Sequence, residues 1–377
     1  MKRSNYQIAK ALLISGLIFS TYIGTIQAAQ PSYKLTDLGA LTTTGSSAAV
    51  DINNHGQIVG YSWAAGQQTS ATIWDKGQIS LLGGHALMSS ATAINDSGVV
   101  VGYNETSSGQ NAVVWTNGQA SILDSNTATA LDINSHGVIA GATYNSGPTI
   151  WINGTMEQLP IINSYYFSVA RGINNLGQVV GSYELTTADW QIYTRAALWS
   201  NGNGIDIGAA DGFSSSYAEK INDAGDIVGQ SHNGFNGGAH ATLWRNGVAI
   251  DLGSLNDGTE ASFAMDINSH GQIVGYSQSG LFSPENNARA VIWFADLNPV
   301  MLDTLIDPLD PLYGQVSLYT AKGINDLGQI VGYGLINGKE RAFLLSPLAT
   351  VPEPGSMAML LAGLGLFGIA SRRNKQA

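Results

Sequence analysis

The sequence predicts an all-β fold, a seven-bladed β-propeller of four-stranded blades, and three observations support this prediction. A turn-and-strand motif, such as INNHGQIVGYS at residues 52–62, recurs seven times along the chain. A Trp and an Asn-Gly pair follow most copies at regular distances. The last copy lacks a strand that is found at the start of the domain. Internal periods of this length indicate repeated sheets stacked on one another.

Each repeat begins with an Asn that is followed three and seven residues later by Gly. The Asn residues lie 39 to 57 positions apart, at Asn53, Asn95, Asn134, Asn174, Asn222, Asn268 and Asn325. An Asn side chain can close a local turn, and the first Gly can take positive φ. The β-branched residues that follow favour a strand. Each motif therefore predicts a tight turn between the first and second strands of a sheet.

A Trp marks the end of the third strand in six repeats, and Leu345 takes its place in the seventh. The six are Trp74, Trp115, Trp151, Trp199, Trp244 and Trp293. Asn-Gly follows four of them, which predicts a hairpin into a fourth strand. An Ala three residues before most of the Trp residues gives that strand two apolar faces, because side chains alternate along a strand. We therefore expect each sheet to pack between two others.

The two ends of the repeated region predict a closed ring. The seventh repeat stops after its third strand, AFLLSP, whereas residues 33–41, YKLTDLGAL, match a fourth strand. A strand at the front that completes the last sheet would close the ring and protect two open edges. An open β-solenoid is the alternative, but it has no use for a displaced strand.

Both termini have the character of targeting segments. Residues 1–29 combine Lys2, Arg3 and Lys10 with an apolar stretch and small residues, which predicts a signal peptide cleaved after Ala28 or Ala29. An uncleaved anchor is the alternative. Residues 356–371 are apolar and uncharged, and as a helix they would span about 24 Å, slightly less than the hydrocarbon core of about 30 Å. The basic residues after them favour a cytoplasmic end. The predicted domain lies between, at residues 30–350.

The C-terminus at residues 351–377 resembles a PEP-CTERM sorting signal. The order is characteristic: Val351, Pro352, Glu353 and Pro354, then an apolar segment, then Arg372 and Arg373. The resemblance implies recognition of the Pro-Glu-Pro residues by an exosortase-type membrane enzyme, removal of the helix and transfer to the cell envelope. A simple C-terminal anchor is the alternative.

The repeats also resemble the HAF-type extracellular repeat, named for a His-Ala-Phe triplet. Residues 240–255, HATLWRNGVAIDLGSL, carry this resemblance, with His240-Ala241 and Ala342-Phe343 each keeping two residues of the triplet. The resemblance implies an extracellular location and brings no agreed activity.

Composition narrows the range of functions. Residues 30–350 hold ten Lys and Arg against 26 Asp and Glu, a net charge of −16, which disfavours nucleic acid as a partner. The chain has no Cys, so an exported domain must depend on its core rather than on disulfides. Neither a nucleophile elbow nor a zinc motif is present, and we expect no cofactor and no metal. Asp51, Asp132 and Asp266 superficially suggest Ca²⁺ ligands, but their spacing favours a structural role.

The variable connections predict a candidate binding rim. They join the second strand to the third and the fourth to the next first, at the end of the sheets opposite the Asn turns, and binding residues concentrate on such loops. Aromatic residues occur on them: Trp63, Tyr144, Tyr165, Tyr166, Tyr183, Trp190, Tyr193 and Tyr313. Half or more of them are expected to pack under their own loops.

Two functions follow from these observations. The favoured one is a non-enzymatic module of the cell envelope or extracellular matrix that binds a glycan, such as exopolysaccharide, or an envelope protein. The alternative is a secreted propeller hydrolase or lyase that acts on polysaccharide and uses acids among Glu184, Asp189, Asp307 and Asp310.

Overall fold

The computed structural model describes residues 30–348 except 85–86, 126, 145–146, 163–167, 188–189, 234–237, 256–260 and 280–286. The predicted signal peptide and the sorting signal lie outside the described residues. The described chain forms seven four-stranded antiparallel sheets, which confirms the seven-bladed β-propeller. We number the blades by the Asn turns, so that blade 1 contains Asn53.

The strands of blades 1 to 3 follow one another along the chain. Blade 1 has β2 (Ser46–Ile52), β3 (Ile58–Trp63), β4 (Ser70–Asp75) and β5 (Gln78–Leu81). Blade 2 has β6 (Met88–Ile94), β7 (Val100–Thr106), β8 (Gly109–Thr116) and β9 (Gln119–Asp124). Blade 3 has β10 (Ala128–Ile133), β11 (Ile139–Thr143), β12 (Gly147–Ile152) and β13 (Thr155–Gln158).

Blades 4 to 6 repeat this order. Blade 4 has β14 (Ser168–Ile173), β15 (Val179–Thr186), β16 (Ile192–Ser200) and β17 (Asn203–Gly208). Blade 5 has β18 (Ser215–Ile221), β19 (Ile227–His232), β20 (Ala239–Arg245) and β21 (Val248–Asp251). Blade 6 has β22 (Ala261–Ile267), β23 (Ile273–Gln278), β24 (Ala288–Trp293) and β25 (Pro299–Met301), followed by a 3₁₀ helix (Leu302–Leu305).

Blade 7 is built from both ends of the domain. Its strands are β26 (Val316–Ile324), β27 (Ile330–Ile336), β28 (Lys339–Pro347) and β1 (Tyr33–Gly39). The first strand of the domain pairs with the last in antiparallel register, from Tyr33 opposite Pro347 to Asp37 opposite Phe343. The outer edge of β1 is covered as well, because Tyr33 forms a parallel bridge with Ile306 and its carbonyl accepts a hydrogen bond from Asp307 N at 2.9 Å.

The core lies between the blades, as expected for sheets with two apolar faces. Separate clusters of buried side chains fill the interfaces between successive blades, including the interface between blades 7 and 1 around Ile58, Trp74 and Val331. Several Trp residues also donate an indole N–H to the preceding blade, as Trp115 does to Gly83 O at 2.7 Å. The repeated Trp therefore joins neighbouring sheets rather than stabilising its own sheet alone.

Candidate functional site

The topology gives the propeller two unlike faces. Strands alternate in direction within each blade, so the Asn turns share one face with the turns between third and fourth strands. We call this the turn face. The opposite face, the loop face, carries the longer connections, including residues 187–191 and 302–315.

At the turn face, a closed ring of seven side-chain hydrogen bonds among the described residues connects the seven blades. In every blade the Asn Oδ1 accepts the backbone N–H groups two and four residues later, as from His55 and Gln57 at 3.1 and 2.9 Å. Its Nδ2 donates to the main-chain carbonyl of the next Asn. The seven bonds are 3.0 to 3.1 Å long and run from Asn53 through Asn95, Asn134, Asn174, Asn222 and Asn268 to Asn325, which donates back to Asn53.

A polar cavity of about 220 Å³ opens inside this ring, at the mouth of the central channel. The residue after each Asn forms its outer wall, in the order Asn54, Asp96, Ser135, Asn175, Asp223, Ser269 and Asp326. These side chains also bond between blades: Asn54 N donates to Asp96 at 2.8 Å, and Asn175 N donates to Asp223 at 2.8 Å. The wall is therefore acidic, and it is already hydrogen-bonded to itself.

The interior of the channel holds a half-buried lysine among three carboxyl groups. Lys220 Nζ lies 2.6 Å from Asp132 Oδ1. Burial alone would lower the pKa of Lys220, but Asp132, Asp51 and Asp266 outweigh that effect and raise it. Asp266 also accepts the backbone N–H groups of Ile267 and Ile324, both at 2.8 Å. The Asp residues that superficially suggested Ca²⁺ ligands thus bind backbone and lysine, and the described residues contain no metal-type cluster of His and carboxylates.

This channel predicts a pH-dependent stability. Burial, opposed by Lys220 and reinforced by Asp51, raises the pKa of Asp266 to about 7. An unfolded Asp titrates near 4, so between about pH 4 and 7 the folded chain keeps a proton that the unfolded chain has lost. The free energy of unfolding is therefore expected to fall as pH rises through this window and to level off above it. Asp303, whose pKa burial raises to about 6, acts in the same direction.

Urea unfolding at several pH values tests this expectation. Asp266→Asn should make the fall between about pH 4 and 7 smaller, whatever its effect on stability at one pH. The same substitution at exposed Asp211 is the control and should leave the slope as it is. An unchanged slope in Asp266→Asn would show that this carboxyl is already ionised at pH 5.

A second cavity of about 530 Å³ lies on the turn face between blades 1 and 2. Its floor is apolar, formed by Ile73, Leu82 and Val100, and polar side chains including His55 and Asp75 surround it. Between blades 5 and 6 an ion pair stands in the equivalent place, where Arg245 Nη2 lies 2.6 Å from Asp226 and reaches toward Gly271. The sequence predicted binding residues only on the opposite face and did not predict this cavity.

The predicted aromatic residues of the loop face differ in exposure. Trp190 is 83% exposed, Tyr144 77% and Tyr313 49%, whereas Trp63 and Tyr193 are half-buried. Tyr183 is buried, and its hydroxyl donates to Asp206 at 3.0 Å, so it is not available to a ligand. Tyr165 and Tyr166 lie outside the described residues.

Trp190 is held outward by its loop. Thr187 N donates to Gln191 O at 2.9 Å, and Trp190 N donates to Thr187 O at 3.0 Å. Trp190 itself has φ of 64°, a left-handed conformation that is uncommon for a bulky residue and costs free energy. Burial does not compensate for that cost, because the side chain is in solvent. Such a conformation on an exposed Trp suggests a functional use.

Two of the carboxylates that the enzyme alternative would use, those of Asp310 and Asp307, accept hydrogen bonds from backbone N–H groups. The carboxylate of Asp310, itself 9% exposed, accepts Leu35 N and Leu312 N, each at 2.9 Å. Asp307 accepts Leu309 N at 2.9 Å. Glu184 is half-buried on β15, and Asp189 lies outside the described residues. Asp310 and Asp307 therefore shape the chain that covers β1.

Comparison with known proteins identifies the C-terminus and the fold. Residues 350–374 match the PEP-CTERM protein-sorting motif, so the chain is exported and carries a signal for exosortase-type processing at the membrane. No curated protein matches the sequence at a significant level. No helix within the described residues is long and apolar enough to cross a bilayer, and the predicted helix at residues 356–371 lies outside them.

Several solved structures are similar to this chain at low identity. The β-propeller domain of the Trilobed protease from Pyrococcus furiosus, which has an open velcro topology, is 11% identical with a TM-score of 0.51, covering 82% of this chain and 100% of that one. YCF48 bound to D1 peptide is 8% identical with a TM-score of 0.47, covering 86% and 97%. A gluconolactonase from Xanthomonas campestris is 10% identical with a TM-score of 0.42, covering 86% and 94%. At 11% identity, the likeness to the Trilobed protease domain shows the fold alone.

Proposed function

We propose that this chain is a non-enzymatic binding protein of the bacterial cell envelope that recognises polysaccharide through the loop face of blades 3 and 4. The observation that carries the proposal is the conformation of Trp190. Its side chain is 83% exposed, and its backbone is left-handed in a loop that is held by hydrogen bonds. A rigid Trp or Tyr offers a large amphipathic surface at little cost in side-chain entropy. That property suits the apolar face of a sugar ring.

The surroundings of Trp190 support a binding surface there. Other exposed apolar side chains lie on the loop face of the same two blades: Tyr144 belongs to blade 3, Ile161 to the connection between the blades, and Ile192 to blade 4. Exposed apolar residues grouped in this way mark interaction sites more often than scattered ones do. The net charge of −16 favours a neutral polysaccharide over an acidic one, because like charges repel.

The scaffold supports the same proposal. The Asn ring and the pairing of β1 with β28 connect all seven blades, and we propose that β1 keeps the ring closed so that the loops are held in fixed positions. The sorting motif supports placement at the cell surface or in the matrix, in agreement with the resemblance to HAF-type repeats. We favour binding over polysaccharide hydrolysis or cleavage, because Asp310 and Asp307 already bind backbone N–H groups.

Binding to the producing bacterium's own purified envelope polysaccharide tests the proposal. Trp190→Ala with Tyr144→Ala is expected to raise the dissociation constant at least tenfold and so to abolish retention in affinity electrophoresis. Truncation of a central aromatic residue of an interface typically costs more than about 1 kcal/mol. Leu176→Ala with Leu327→Ala, which removes exposed side chains from the turn face, is the matched control. Unchanged retention in the aromatic variant would refute this site. Release of new reducing ends from the polysaccharide would instead support the enzyme alternative.

A further inference from the structure

The described part of the chain ends on the turn face. β28 runs from the loop face toward the Asn325 turn, and Pro347 lies beside Gly328 of that turn. The next residue, Leu348, donates its backbone N–H to Ser32 O at 2.7 Å. The C-terminal tail therefore leaves the propeller at the edge of the turn face, in blade 7.

The distance from this exit to the sorting segment is short. Seven residues, 349–355, separate Leu348 from the apolar stretch that begins at residue 356. Fully extended, the eight Cα–Cα steps from Leu348 to residue 356 reach at most about 29 Å. A seven-residue inner strand such as β2 is about 23 Å long, so each blade is at least that tall. The tail must also pass the polar headgroup layer, which takes about 5 to 7 Å on each side of the bilayer.

We propose that, while the sorting segment is in the membrane, the propeller stands with its turn face toward the bilayer and its loop face away from it. The reverse orientation requires the tail to run the full height of blade 7, past the segment that covers β1, and then through the headgroups. That path is about 28 to 30 Å even without a detour, so it leaves no slack in a fully extended tail. The inference rests on the exit point and the sorting motif, and it does not depend on the proposed polysaccharide site.

The acidic character of the turn face indicates that the short C-terminal tail, rather than adsorption to lipid, sets this orientation. The turn face presents Asp96, Asp223 and Asp326 around the channel mouth. Anionic lipid repels such a surface. A gap therefore separates the turn face from the bilayer. The sorting enzyme must reach residues 352–354 within that gap.

The absence of Cys from the chain allows a direct test by single-Cys labelling. Leu87 on the loop face is 66% exposed, and Leu176 and Leu327 on the turn face are 71% and 62% exposed, so their Cys variants are matched. Full-length variants are displayed on spheroplasts of cells that lack the sorting enzyme and are treated with a bulky membrane-impermeant maleimide. Leu87→Cys is expected to be labelled several-fold faster than Leu176→Cys and Leu327→Cys.

A linker insertion provides the control for the tether. About 30 Gly and Ser residues inserted after Leu348 add a flexible span of about 30 Å and should bring the three rates close together. Equal or reversed rates with the natural tail would overturn the proposal. A rate difference that survives the insertion would also overturn it, because shielding would then come from something other than the short tail.

Discussion

Replacing Leu35 by Asp is expected to lower the free energy of unfolding by at least about 3 kcal/mol, because an apolar side chain is lost and a carboxylate is buried in its place. Leu35 is 3% exposed and packs in the core between blades 6 and 7. The carboxylate of Asp310 already accepts Leu35 N at 2.9 Å, so a second carboxylate here would add repulsion. Urea unfolding of the domain measures the loss.

The adjacent residue provides the control for this prediction. Thr36 lies on the same strand but is exposed, so Thr36→Asp should change stability by no more than about 0.5 kcal/mol. If Leu35→Asp unfolds at the same urea concentration as the unmodified domain, β1 does not hold blade 7 closed. Self-association of Leu35→Asp is also expected, because release of β1 uncovers the edge of β28.

Trp115→Ala is expected to cost about 3 to 5 kcal/mol, the range for a large aromatic removed from a core. Trp115 is 1% exposed and fills the interface between blades 1 and 2 with Val59 and Leu82. Its indole N–H also donates to Gly83 O at 2.7 Å, and that bond is lost. The same measurement on Trp190→Ala is the control, because Trp190 is 83% exposed. Similar costs in the two variants would contradict the interface role of the repeated Trp.

The fold was predictable because its information is local and repeated. An Asn, a Gly three residues later and a β-branched strand specify one turn, and seven copies at a propeller-like spacing specify the blades. Residues 33–41 were predictable as a fourth strand because they resemble AIDLGSL, residues 249–255, at the corresponding place in the fifth repeat. The structure pairs that strand with β28 of the seventh blade, where Asp37 lies opposite Phe343.

The bonds between blades were not predictable, since each joins residues that are distant in sequence. The Asn motif indicated a turn, but nothing in it shows that Nδ2 reaches the next turn, or that Asn325 bonds to Asn53 across 272 positions. Lys220 was missed for a related reason. The equivalent position holds Asp51, Asp132 and Asp266 in blades 1, 3 and 6 but Ala93, Gly172 and Gly323 in blades 2, 4 and 7. The repeat therefore did not predict that one Lys would lie among three carboxyl groups.

The candidate binding residues show that an aromatic residue on a variable loop need not be exposed. Tyr183 and Trp190 lie in the same hairpin, yet one is buried against Asp206 and the other is in solvent. An aromatic residue on a variable connection is predictable from sequence. Its exposure depends on the backbone of a single loop, which the repeat does not specify.

The position of β28 determines how the domain would carry a mechanical load. If the tail is anchored and a ligand is held at the opposite face, tension enters at Pro347 and runs along β28, which is hydrogen-bonded on one side to β27 and on the other to β1. Ladder bonds lie across the strand direction, so such a pull loads both ladders in shear and many bonds must break together. The arrangement of strands therefore resists tension without any covalent cross-link.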